Sequence, residues 1–310
     1  MTPTCILVTG GAGFIGSHSV DYFLEQGCQV IVLDNLSSGK VENLNLRHPN
    51  LEFIEGDVLE YPLVAELVKR SDAILHLAAI PSVPQSILLP IYSMQVNMQG
   101  FMHVLQAVQE SQQPKRVVYA SSAAVYGDTT QLPCAEEQVL MPLSPYALQK
   151  MNCEQYATLY LNLHNIASLG LRYFNVYGER QDPMSPYSGV ISRYLNLYHD
   201  HEALIIFGDG LQTRDFIHVS DIVRANWLAL QGDESGALNI ATGVPESLLA
   251  LIDYIEAAGG RPATRDFLPA RSGDIIASYA AISLAEKSLG FKPVVSLQEG
   301  IAKMVMTVSR

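Results

Sequence analysis

Tyr146, Lys150 and Ser122 are the residues whose types and spacing indicate catalysis. Tyr146 and Lys150 are four residues apart at the start of a predicted long helix, so both side chains lie on one helix face. A tyrosine phenol with a pKa near ~10 is a poor base at neutral pH, but a neighbouring ammonium group stabilises the phenolate and lowers that pKa. Tyr146 then becomes a base for a substrate hydroxyl. Ser122, at the end of a predicted strand, can hydrogen-bond the same hydroxyl and relay its proton.

A glycine-rich turn lies between the first predicted strand and the first predicted helix, where residues 9–16 read TGGAGFIG. Gly10, Gly13 and Gly16 let the backbone bend tightly and approach a diphosphate, and the following helix N-terminus favours an anion. Asp34 ends the second predicted strand, 18 residues after Gly16. A carboxylate there accepts both ribose hydroxyls of an adenosine and repels a 2′-phosphate, which favours NAD over NADP.

Asp57 follows the third predicted strand, in the sequence Gly56-Asp57-Val58. In that position it could reach the amino group of an adenine. It could equally cap the N-terminus of a helix, as aspartate often does. Both interpretations of Asp57 remain open from the sequence.

The segments that position these residues alternate between strand and helix through the first 175 residues. Predicted strands are Cys5–Thr9, Gln29–Leu33, Leu51–Glu55, Ala73–Leu77, Arg116–Ala120 and Ala167–Tyr173, and predicted helices are Phe14–Gln26, Tyr61–Lys69, Ile91–Glu110 and Pro145–His164. The strands are nearly all apolar, as strands covered on both faces are. The alternation predicts an α/β fold with a doubly wound parallel (Rossmann) sheet.

The strand–helix alternation ends after Asn175, where the predicted segments become shorter and richer in Gly and Pro. Helices are predicted at Gly189–His199, Asp221–Gln231, Ser247–Ala257, Ser283–Leu289 and Leu297–Thr307. We therefore expect an NAD-binding domain over residues 1–174 and a smaller, mixed α/β substrate-binding portion over residues 175–310. Residues 216–240 are expected to return to the main sheet.

Composition and charge exclude several classes of partner. The 310 residues include 19 Lys and Arg against 31 Asp and Glu, a net charge of −12. This balance argues against a nucleic acid or an anionic membrane as partner. The four cysteines form no CxxC pair, and no cluster has metal-ligand spacing, so no metal site is expected. Without a basic, apolar leader or an apolar run of 18 residues, we expect a soluble cytoplasmic protein.

The motifs, taken in order, resemble the extended short-chain dehydrogenase/reductase family, and within it the UDP-hexose 4-epimerases. They are TGGAGFIG, Asp34-Asn35-Leu36, Gly56-Asp57, His76-Leu77-Ala78-Ala79, Val125-Tyr126-Gly127, Tyr146 with Lys150, and residues 172–178, RYFNVYG. The resemblance implies that Ser122, Tyr146 and Lys150 are catalytic and that NAD is the cofactor. It implies cofactor contacts from Gly10, Gly13, Phe14, Ile15, Asp34, Asn35, Asp57, Val58, Leu77, Ala78, Ala79, Asn97, Lys150 and Tyr173.

The second half resembles the UDP-sugar sites of the same family. The resemblance places Asn175 near the diphosphate, Arg214 and Arg271 on phosphate, and Asp274 on the uridine ribose. The chemistry agrees, because guanidinium groups suit diphosphates and a carboxylate accepts ribose hydroxyls. Sugar contacts are implied for Ser82, Ser122, Tyr146 and Ser278, although Ser82 could also be a loop-cap residue.

The residues after Ser122 distinguish among the activities of this family. Related 4,6-dehydratases need a carboxylic acid there to expel a hydroxyl as water, and this chain has Ala123 and Ala124, which cannot protonate a leaving group. The resemblance then implies a 4-epimerase, which oxidises C4 to a transient ketone and returns hydride to the opposite face. UDP-glucuronate 4-epimerase, 4,6-dehydratase and plain UDP-glucose 4-epimerase are the alternatives.

Substrate choice and assembly are implied by two further likenesses. Ser278 matches a position where a small side chain leaves room for a 2-N-acetyl group, which indicates UDP-GlcNAc and UDP-GalNAc, with UDP-Glc and UDP-Gal also accepted. Gln85 stands where an Arg is usual and departs from that branch. The helices Ile91–Glu110 and Pro145–His164 resemble the family's dimer helices, so a homodimer through a four-helix bundle is expected.

Overall fold

The main sheet of the computed structural model, which describes residues 2–182, 189–270 and 275–308, is parallel throughout. The strands are β1 (Cys5–Thr9), β2 (Gln29–Asp34), β3 (Leu51–Glu55), β4 (Ala73–His76), β5 (Arg116–Ser122), β6 (Ser168–Tyr173), β7 (Asn175–Tyr177), β8 (Leu204–Phe207), β9 (Thr213–His218), β10 (Gly236–Ile240), β11 (Pro245–Ser247), β12 (Arg265–Leu268) and β13 (Ala277–Ser278). Seven of these described strands form the main sheet in the order β10-β6-β5-β4-β1-β2-β3. The order reverses between β1 and β4, the point at which sheets of this kind bind ligands.

The helices cover both faces of this sheet. They are α1 (Phe14–Glu25), α2 (Tyr61–Arg70), α3 (Val83–Leu88), α4 (Pro90–Met94), α5 (Gly100–Ser111), α6 (Pro145–His164), α7 (Val190–His199), α8 (Val219–Gln231), α9 (Leu248–Gly259), α10 (Ser283–Leu289) and α11 (Leu297–Val308). One apolar core joins the sheet to α1, α8 and α10, and a second joins it to α2, α5 and α6. The predicted doubly wound α/β fold is confirmed.

Apolar strands explain why this sheet is buried. Ile6, Leu7 and Val8 are consecutive in β1, point alternately to the two faces, and are all 0% exposed. Burying each such side chain stabilises the fold by roughly 1.5–3 kcal/mol. The carboxyl ends of the strands therefore meet at one edge of a rigid platform, where Thr9 lies beside His76 and Ser122 beside Tyr173 in the strand register.

The segment predicted as one helix over Ile91–Glu110 is wrong in detail. It is α4, a π-helical turn at Gln95–Gln99, and α5. The wider turn brings the Asn97 amide onto Gln149 of α6, at 2.7 Å from Nδ2 to Oε1. The π-helical turn therefore coincides with a hydrogen bond to α6, and no local sequence pattern indicates such a contact with a distant helix.

The second half of the chain forms smaller sheets. The first part of β9 pairs with β11 and β13, its second part pairs with β7, and β8 pairs with β12. A third apolar core, which includes Ile191, Leu204, Leu251 and Ile301, joins α7, β8, α9 and α11. The strand β10 returns from this half to the edge of the main sheet beside β6. The boundary predicted between residues 174 and 175 stays a prediction.

No helix in the described part of the chain has both the length and the apolar character to cross a membrane.

Candidate active site

The glycine turn joins β1 to α1 in the shape that a diphosphate requires. Gly10 has φ +72°, a left-handed conformation that favours glycine, and a Cβ on Gly16 would lie 2.1 Å from the Gly10 carbonyl oxygen. A Cβ on Gly13 would meet only that oxygen, at 3.3 Å, so the outer side of Gly13 is open. Gly13 is also the N-cap of α1, and it offers no side-chain acceptor to the amides of Phe14 and Ile15. The turn therefore fits an anion at a helix N-terminus.

Asp34 is held rigidly beside this turn. Its Oδ2 accepts from the backbone N–H of Ala12 and its Oδ1 from that of Leu36, both at 2.9 Å. Burial raises the pKa of Asp34, and these two hydrogen bonds partly offset that effect. Gly39 passes so close that a Cβ there would lie 3.0 Å from Oδ1. The carboxylate is thus held in a fixed position beside the glycine turn, and its contact with the adenosine ribose stays a prediction.

Asp57 and Asn35 contact each other. Asn35 Nδ2 donates to Asp57 Oδ2 at 2.9 Å, and Asp57 Oδ1 accepts from the N–H of Leu59. Asp57 does not cap a helix, since the N-cap of α2 is Glu60. The next residue, Val58, is buried against Gly100. Asp57, which was predicted to reach the adenine, and Asn35, which was predicted to contact the cofactor, therefore share one cluster, and both contacts stay predictions.

The segment Leu77-Ala78-Ala79 passes across the glycine turn. The N–H of Ala78 donates to Thr9 Oγ1 at 3.3 Å, and Ala78 leaves no room for a Cβ on Gly10. Behind it, Asn97 is buried and exchanges hydrogen bonds with both backbone groups of Ile80. The Asn97 side chain thus supports the loop, and its predicted contact with the cofactor stays a prediction.

Tyr173 ends β6 at the level of Ser122. Its hydroxyl donates to Asn226 Oδ1 at 2.6 Å, and Asn226 in turn donates to Ser19 Oγ of α1. Burial raises the pKa of Tyr173. The hydroxyl therefore joins β6 to α8 and α1, and the predicted cofactor contact of Tyr173 stays a prediction.

The three catalytic candidates meet at the start of α6. The side chain of Ser122 interacts with the Tyr146 hydroxyl and lowers its pKa, and Ser122 also caps the short 3₁₀ helix Ala123–Tyr126. Lys150 is buried, donates from Nζ to the Ala120 carbonyl at 2.8 Å, and lies 6.0 Å from the centroid of the Tyr146 ring. The structure thus brings together the side chains that the sequence groups as a base, its activating cation and a hydroxyl relay.

Burial acts on both titratable members of this group. It raises the pKa of Tyr146, whereas the hydrogen bond with Ser122 lowers it, and it lowers the pKa of Lys150. Both effects disfavour charge on an isolated group in a dry site. A phenolate and an ammonium ion in the same cleft stabilise each other, so the two groups are suited to act as a pair.

The start of α6 is fixed by serines. Ser144 caps it by accepting from the N–H of Ala147, and Pro145 occupies the first turn. The N–H of Tyr146 donates to Ser86 Oγ at 3.0 Å, so α3 holds the first turn of α6 in place. Ser86 is a positioning residue that the sequence analysis missed, because its partner lies 60 residues away.

His76 is a second residue that the sequence analysis missed. It is buried, its Nδ1 lies 2.8 Å from Thr9 Oγ1, and burial and then the charge of Lys150 lower its pKa to about 3. A neutral imidazole therefore lies between the glycine turn and the catalytic lysine. The signal was the sequence His76-Leu77-Ala78-Ala79, which carried the family resemblance but suggested no role for the histidine.

The substrate residues predicted in the second half lie around β9. Arg214 Nη1 donates to the Thr213 carbonyl at 2.8 Å, Asn175 Nδ2 donates to the Asp215 carbonyl at 3.2 Å, and Ser278 pairs with Arg214 in the strand register. Asn175, Arg214 and Ser278 are therefore neighbours. Arg271 and Asp274 fall outside the described residues.

Ser82 lies on the other side of the catalytic group. It is the buried N-cap of α3 and accepts from the N–H of Gln85 at 3.1 Å. Its alternative interpretation as a cap residue is thus realised, and its sugar contact stays a prediction. Within the described ranges, no three His, Cys, Asp or Glu side chains converge as a metal would need.

Comparison with known proteins identifies the family of this chain. The profile of the NAD dependent epimerase/dehydratase family matches residues 6–241. A curated UDP-glucose 4-epimerase of Mycolicibacterium smegmatis is 37% identical over 304 residues, covering 96% of each chain.

Two solved structures share the whole fold. The UDP-N-acetylglucosamine 4-epimerase of Methanobrevibacter ruminantium, in complex with UDP-N-acetylmuramic acid, superposes with a TM-score of 0.93 at 36% identity, covering 99% of this chain and 100% of that one. The UDP-glucuronic acid 4-epimerase of Bacillus cereus, bound to UDP-glucuronic acid and NAD, gives 0.88 at 31% identity, covering 98% and 99%. The resemblance that the sequence motifs indicated is confirmed at the level of the family. The chain is an NAD-dependent enzyme and belongs to the NAD dependent epimerase/dehydratase family.

Proposed function

We propose that this chain is a UDP-sugar 4-epimerase, with UDP-GlcNAc and UDP-GalNAc as substrates and UDP-Glc and UDP-Gal also accepted. One observation carries the proposal: Ser122 and Tyr146, whose side chains interact, lie beside Ala123 and Ala124, with Lys150 one turn away. The first three residues exchange a proton with a hydroxyl, and the two alanines offer no acid that would expel a neighbouring hydroxyl. That combination supports oxidation and then reduction of one sugar carbon, with no net change in the oxidation state of the sugar.

The residues of the chain divide the work. Tyr146 takes the proton of the 4-hydroxyl and later returns it, while Ser122 holds the same oxygen and shortens the path of the proton. Lys150 stabilises the phenolate that starts the reaction. NAD, when bound, supplies reversible hydride transfer at C4. The glycine turn and Asp34 would hold its diphosphate and adenosine ribose, which suits an enzyme that keeps its cofactor through each turnover.

The neighbourhood of Ser278 supports the N-acetylated substrates. Ser278 is half-buried in β13, next to Arg214 in the strand register. A hydroxymethyl side chain there leaves volume beside the diphosphate site in which a 2-N-acetyl group can turn with the sugar. Asn175, also at β9, offers an amide rather than a cation, which supports a neutral hexose over a uronate.

Exposed apolar residues support a homodimer through α6 and the predicted helix Ile91–Glu110, which the structure forms from α4, the π-helical turn and α5. On α6, Leu148, Tyr156, Leu159 and Leu163 are exposed at helical spacing, on the side opposite to its buried face, and Ile91 and Tyr92 of α4 are exposed as well. Two such helices from each subunit would form a four-helix bundle. Sedimentation of a Leu159→Asp/Leu163→Asp variant tests this: the variant is expected to be a monomer, and a dimer of unchanged affinity would contradict the interface.

Proton NMR of the purified protein tests the activity. UDP-GlcNAc, UDP-Glc and UDP-glucuronic acid are supplied in separate tubes without added cofactor. New galacto-type anomeric signals in the first two tubes are the expected result. The rates at which these signals grow give the preference between UDP-GlcNAc and UDP-Glc. A new 6-deoxy methyl signal would instead indicate a dehydratase, and turnover of the uronate alone would overturn the substrate assignment.

Tyr146→Phe is the matched control for this assay. It keeps the ring and removes only the hydroxyl that Ser122 contacts. Turnover is expected to fall by roughly 10²–10⁴-fold, while the protein retains its bound NAD. Unchanged turnover would exclude Tyr146 as the base.

A further inference from the structure

The last three residues of β5 each bind a different turn of α6. The Ala120 carbonyl accepts from Lys150 Nζ at 2.8 Å, Ser121 Oγ donates to Glu154 Oε1 at 2.5 Å, and the Ser122 side chain interacts with Tyr146. Tyr146, Lys150 and Glu154 are spaced by four residues, so they form one line along the helix. Two of these contacts belong to the catalytic group, and the third, at Glu154, has no assigned role.

Arg172 of β6 holds Glu154 from the far side. It lies beside Ser121 in the strand register, and its guanidinium binds the carboxylate through two parallel hydrogen bonds, Nε to Oε1 at 2.9 Å and Nη2 to Oε2 at 2.7 Å. The two side chains are 5% and 10% exposed. A bidentate pair of this kind fixes orientation as well as distance, because both partners are planar.

The third nitrogen of the Arg172 guanidinium makes two further hydrogen bonds. This atom, Nη1, donates to the Tyr126 hydroxyl at 2.8 Å and to the Glu136 carbonyl at 3.1 Å. The Tyr126 hydroxyl donates in turn to Asn239 of β10 at 2.7 Å. The guanidinium is therefore anchored to three other elements, and Glu154 is held by a group that cannot itself turn.

This geometry constrains the rotation of α6 about its own axis. A helix fixed at Glu154 by Arg172 and Ser121 cannot rotate without breaking charged hydrogen bonds in a dry site. Rotation would carry Tyr146, two turns away on the same line, past Ser122. A displacement of about 1 Å between reacting groups is enough to slow a reaction by roughly 10²-fold.

We propose that Glu154 and Arg172 are positioning residues, which hold α6 at the one rotation that places the Tyr146 hydroxyl against Ser122. The proposal rests on the proposed function, since it concerns the proton exchange of that reaction. Neither residue contacts the reacting atoms. Their effect is exerted through Ser121, which precedes the catalytic serine, and through the helix that carries the base.

The double variant Glu154→Met/Arg172→Met tests the proposal. Replacing a buried ion pair by apolar side chains of similar volume is often neutral or stabilising, so the variant is expected to fold and to keep its NAD and its melting temperature. The Ser121 contact and the rotational lock are both lost. We expect kcat to fall by roughly 10–100-fold with KM within about twofold of wild type. A kcat within about twofold of wild type would overturn the proposal.

A rescue variant separates positioning from burial of charge. In Glu154→Gln/Arg172→Met, the amide carbonyl can still accept from Ser121, and neither residue carries a charge. Its kcat should lie above that of the double methionine variant and below that of wild type, because the Ser121 contact is kept while the Arg172 contacts are lost. A kcat as low as that of the double methionine variant would contradict the role of the Ser121 contact.

Arg70→Met is the matched control for loss of an ion pair. Arg70 pairs with Glu52 and Glu66 at the surface, on β3 and α2. Its removal should leave kcat and KM unchanged. A fall in kcat equal to that of the double variant would show that the assay reports stability rather than positioning, and would count against the proposal.

A crystal structure of the double variant with bound NAD gives a readout that does not depend on turnover. The separation of Ser122 Oγ and the Tyr146 hydroxyl is expected to exceed that in a wild-type crystal structure by about 1 Å, the displacement that slows a reaction roughly 10²-fold. An unchanged separation would refute the positioning role. If the wild-type protein epimerised no UDP-sugar, the proposed function would fail while this distance still decided the inference.

Discussion

Two buried carboxylates, one in each half of the molecule, are stabilised in opposite ways. Glu154 beside the catalytic group is neutralised by Arg172 through a bidentate ion pair. Asp215 beside the predicted sugar site is fully buried and is held by neutral donors: Oδ1 accepts from the N–H and hydroxyl of Thr242, and Oδ2 from the N–H groups of Gly243 and Ala280.

The difference shows what each half has to hold in place. An ion pair is directional and locks one helix against one strand, as a proton transfer requires. The carboxylate of Asp215 instead gathers three backbone segments, β9, the turn at Thr242 and the chain that follows Ser278. The pKa values of Arg172 and Asp215 reflect this contrast. Burial lowers the pKa of Arg172, but the hydrogen bonds and the charge of Glu154 raise it by more, so the net shift is upward, whereas burial raises the pKa of Asp215.

Breaking the ion pair from one side is expected to have the largest effect on stability. Arg172→Met leaves the Glu154 charge buried without its partner, which costs about 3–5 kcal/mol of the free energy of unfolding. Urea unfolding of the variant measures the loss. Glu154→Met/Arg172→Met should restore wild-type stability, and a loss below about 1 kcal/mol for the single variant would show that water reaches Glu154.

Asp215→Asn tests the neutral cluster. An amide keeps one acceptor oxygen but turns an NH₂ group toward two backbone N–H donors, so two hydrogen bonds are lost, at a cost of roughly 2–3 kcal/mol. The same unfolding measurement applies. Asp209→Asn is the control, since Asp209 accepts one hydrogen bond on an exposed turn of the same half. Equal losses for the two variants would remove the distinction between buried and exposed acceptors.

Ser278→Tyr alters selectivity in the half held by Asp215 and leaves the catalytic group intact. The added ring fills the space proposed for the 2-N-acetyl group, so the ratio of UDP-GlcNAc to UDP-Glc turnover should fall at least about tenfold, equivalent to roughly 1.4 kcal/mol. Competition between the two substrates in one NMR tube measures that ratio. Ser278→Ala should leave it unchanged. A parallel loss of both activities would reject the assignment of Ser278 as the size-determining residue.

Glu179 lies where the two halves meet, and its effect is expected to be the smallest. Its backbone carbonyl contacts His18 of α1, and its carboxylate lies 3.5 Å from His218 Nε2. The contact with His218 holds the pKa of Glu179 at about 2, below its ordinary 4.5. The stabilisation is therefore present above pH 4.5 and is lost as the pH falls toward 2.

Melting temperatures between pH 5 and pH 3 measure this contribution. Wild type should lose more stability over that interval than Glu179→Gln, by less than about 1 kcal/mol because solvent screens the side chain. Asp215, whose pKa is raised, is present in both proteins, so its contribution cancels from the difference between them. Identical slopes for the two proteins would exclude a role for Glu179 in acid stability.

The sequence predicted those elements whose stability is local. The strand Leu51–Glu55 and the helix Pro145–His164 have the bounds that their apolar patterns and capping residues predict. The grouping of Ser122, Tyr146 and Lys150 was predictable as well, because Ser122 lies at the end of a strand and the other two residues are one helical turn apart. The π-helical turn at Gln95–Gln99 was not predictable, because the Asn97 side chain that it orients is held by Gln149 of another helix.

Contacts between distant segments account for the other omissions. Ser86 supports Tyr146 across 60 residues, and Asp215 is satisfied by backbone groups whose positions exist only in the folded chain. Such partners have no periodicity and no fixed spacing. Glu154 looks in the sequence like one more polar residue of a helix, and its burial is revealed only when β6 brings Arg172 beside it.

The return of β10 to the main sheet has a consequence for biosynthesis. A chain that leaves the ribosome from its N-terminus completes β6 at Tyr173, but the strand that pairs with its outer edge ends only at Ile240 of 310 residues. Until then β6 presents unpaired backbone groups of the kind that recruit other strands and promote aggregation. Asn239, which receives the Tyr126 hydrogen bond, arrives with the same segment. The main sheet is therefore completed late in translation, after part of the second half of the chain has been synthesised.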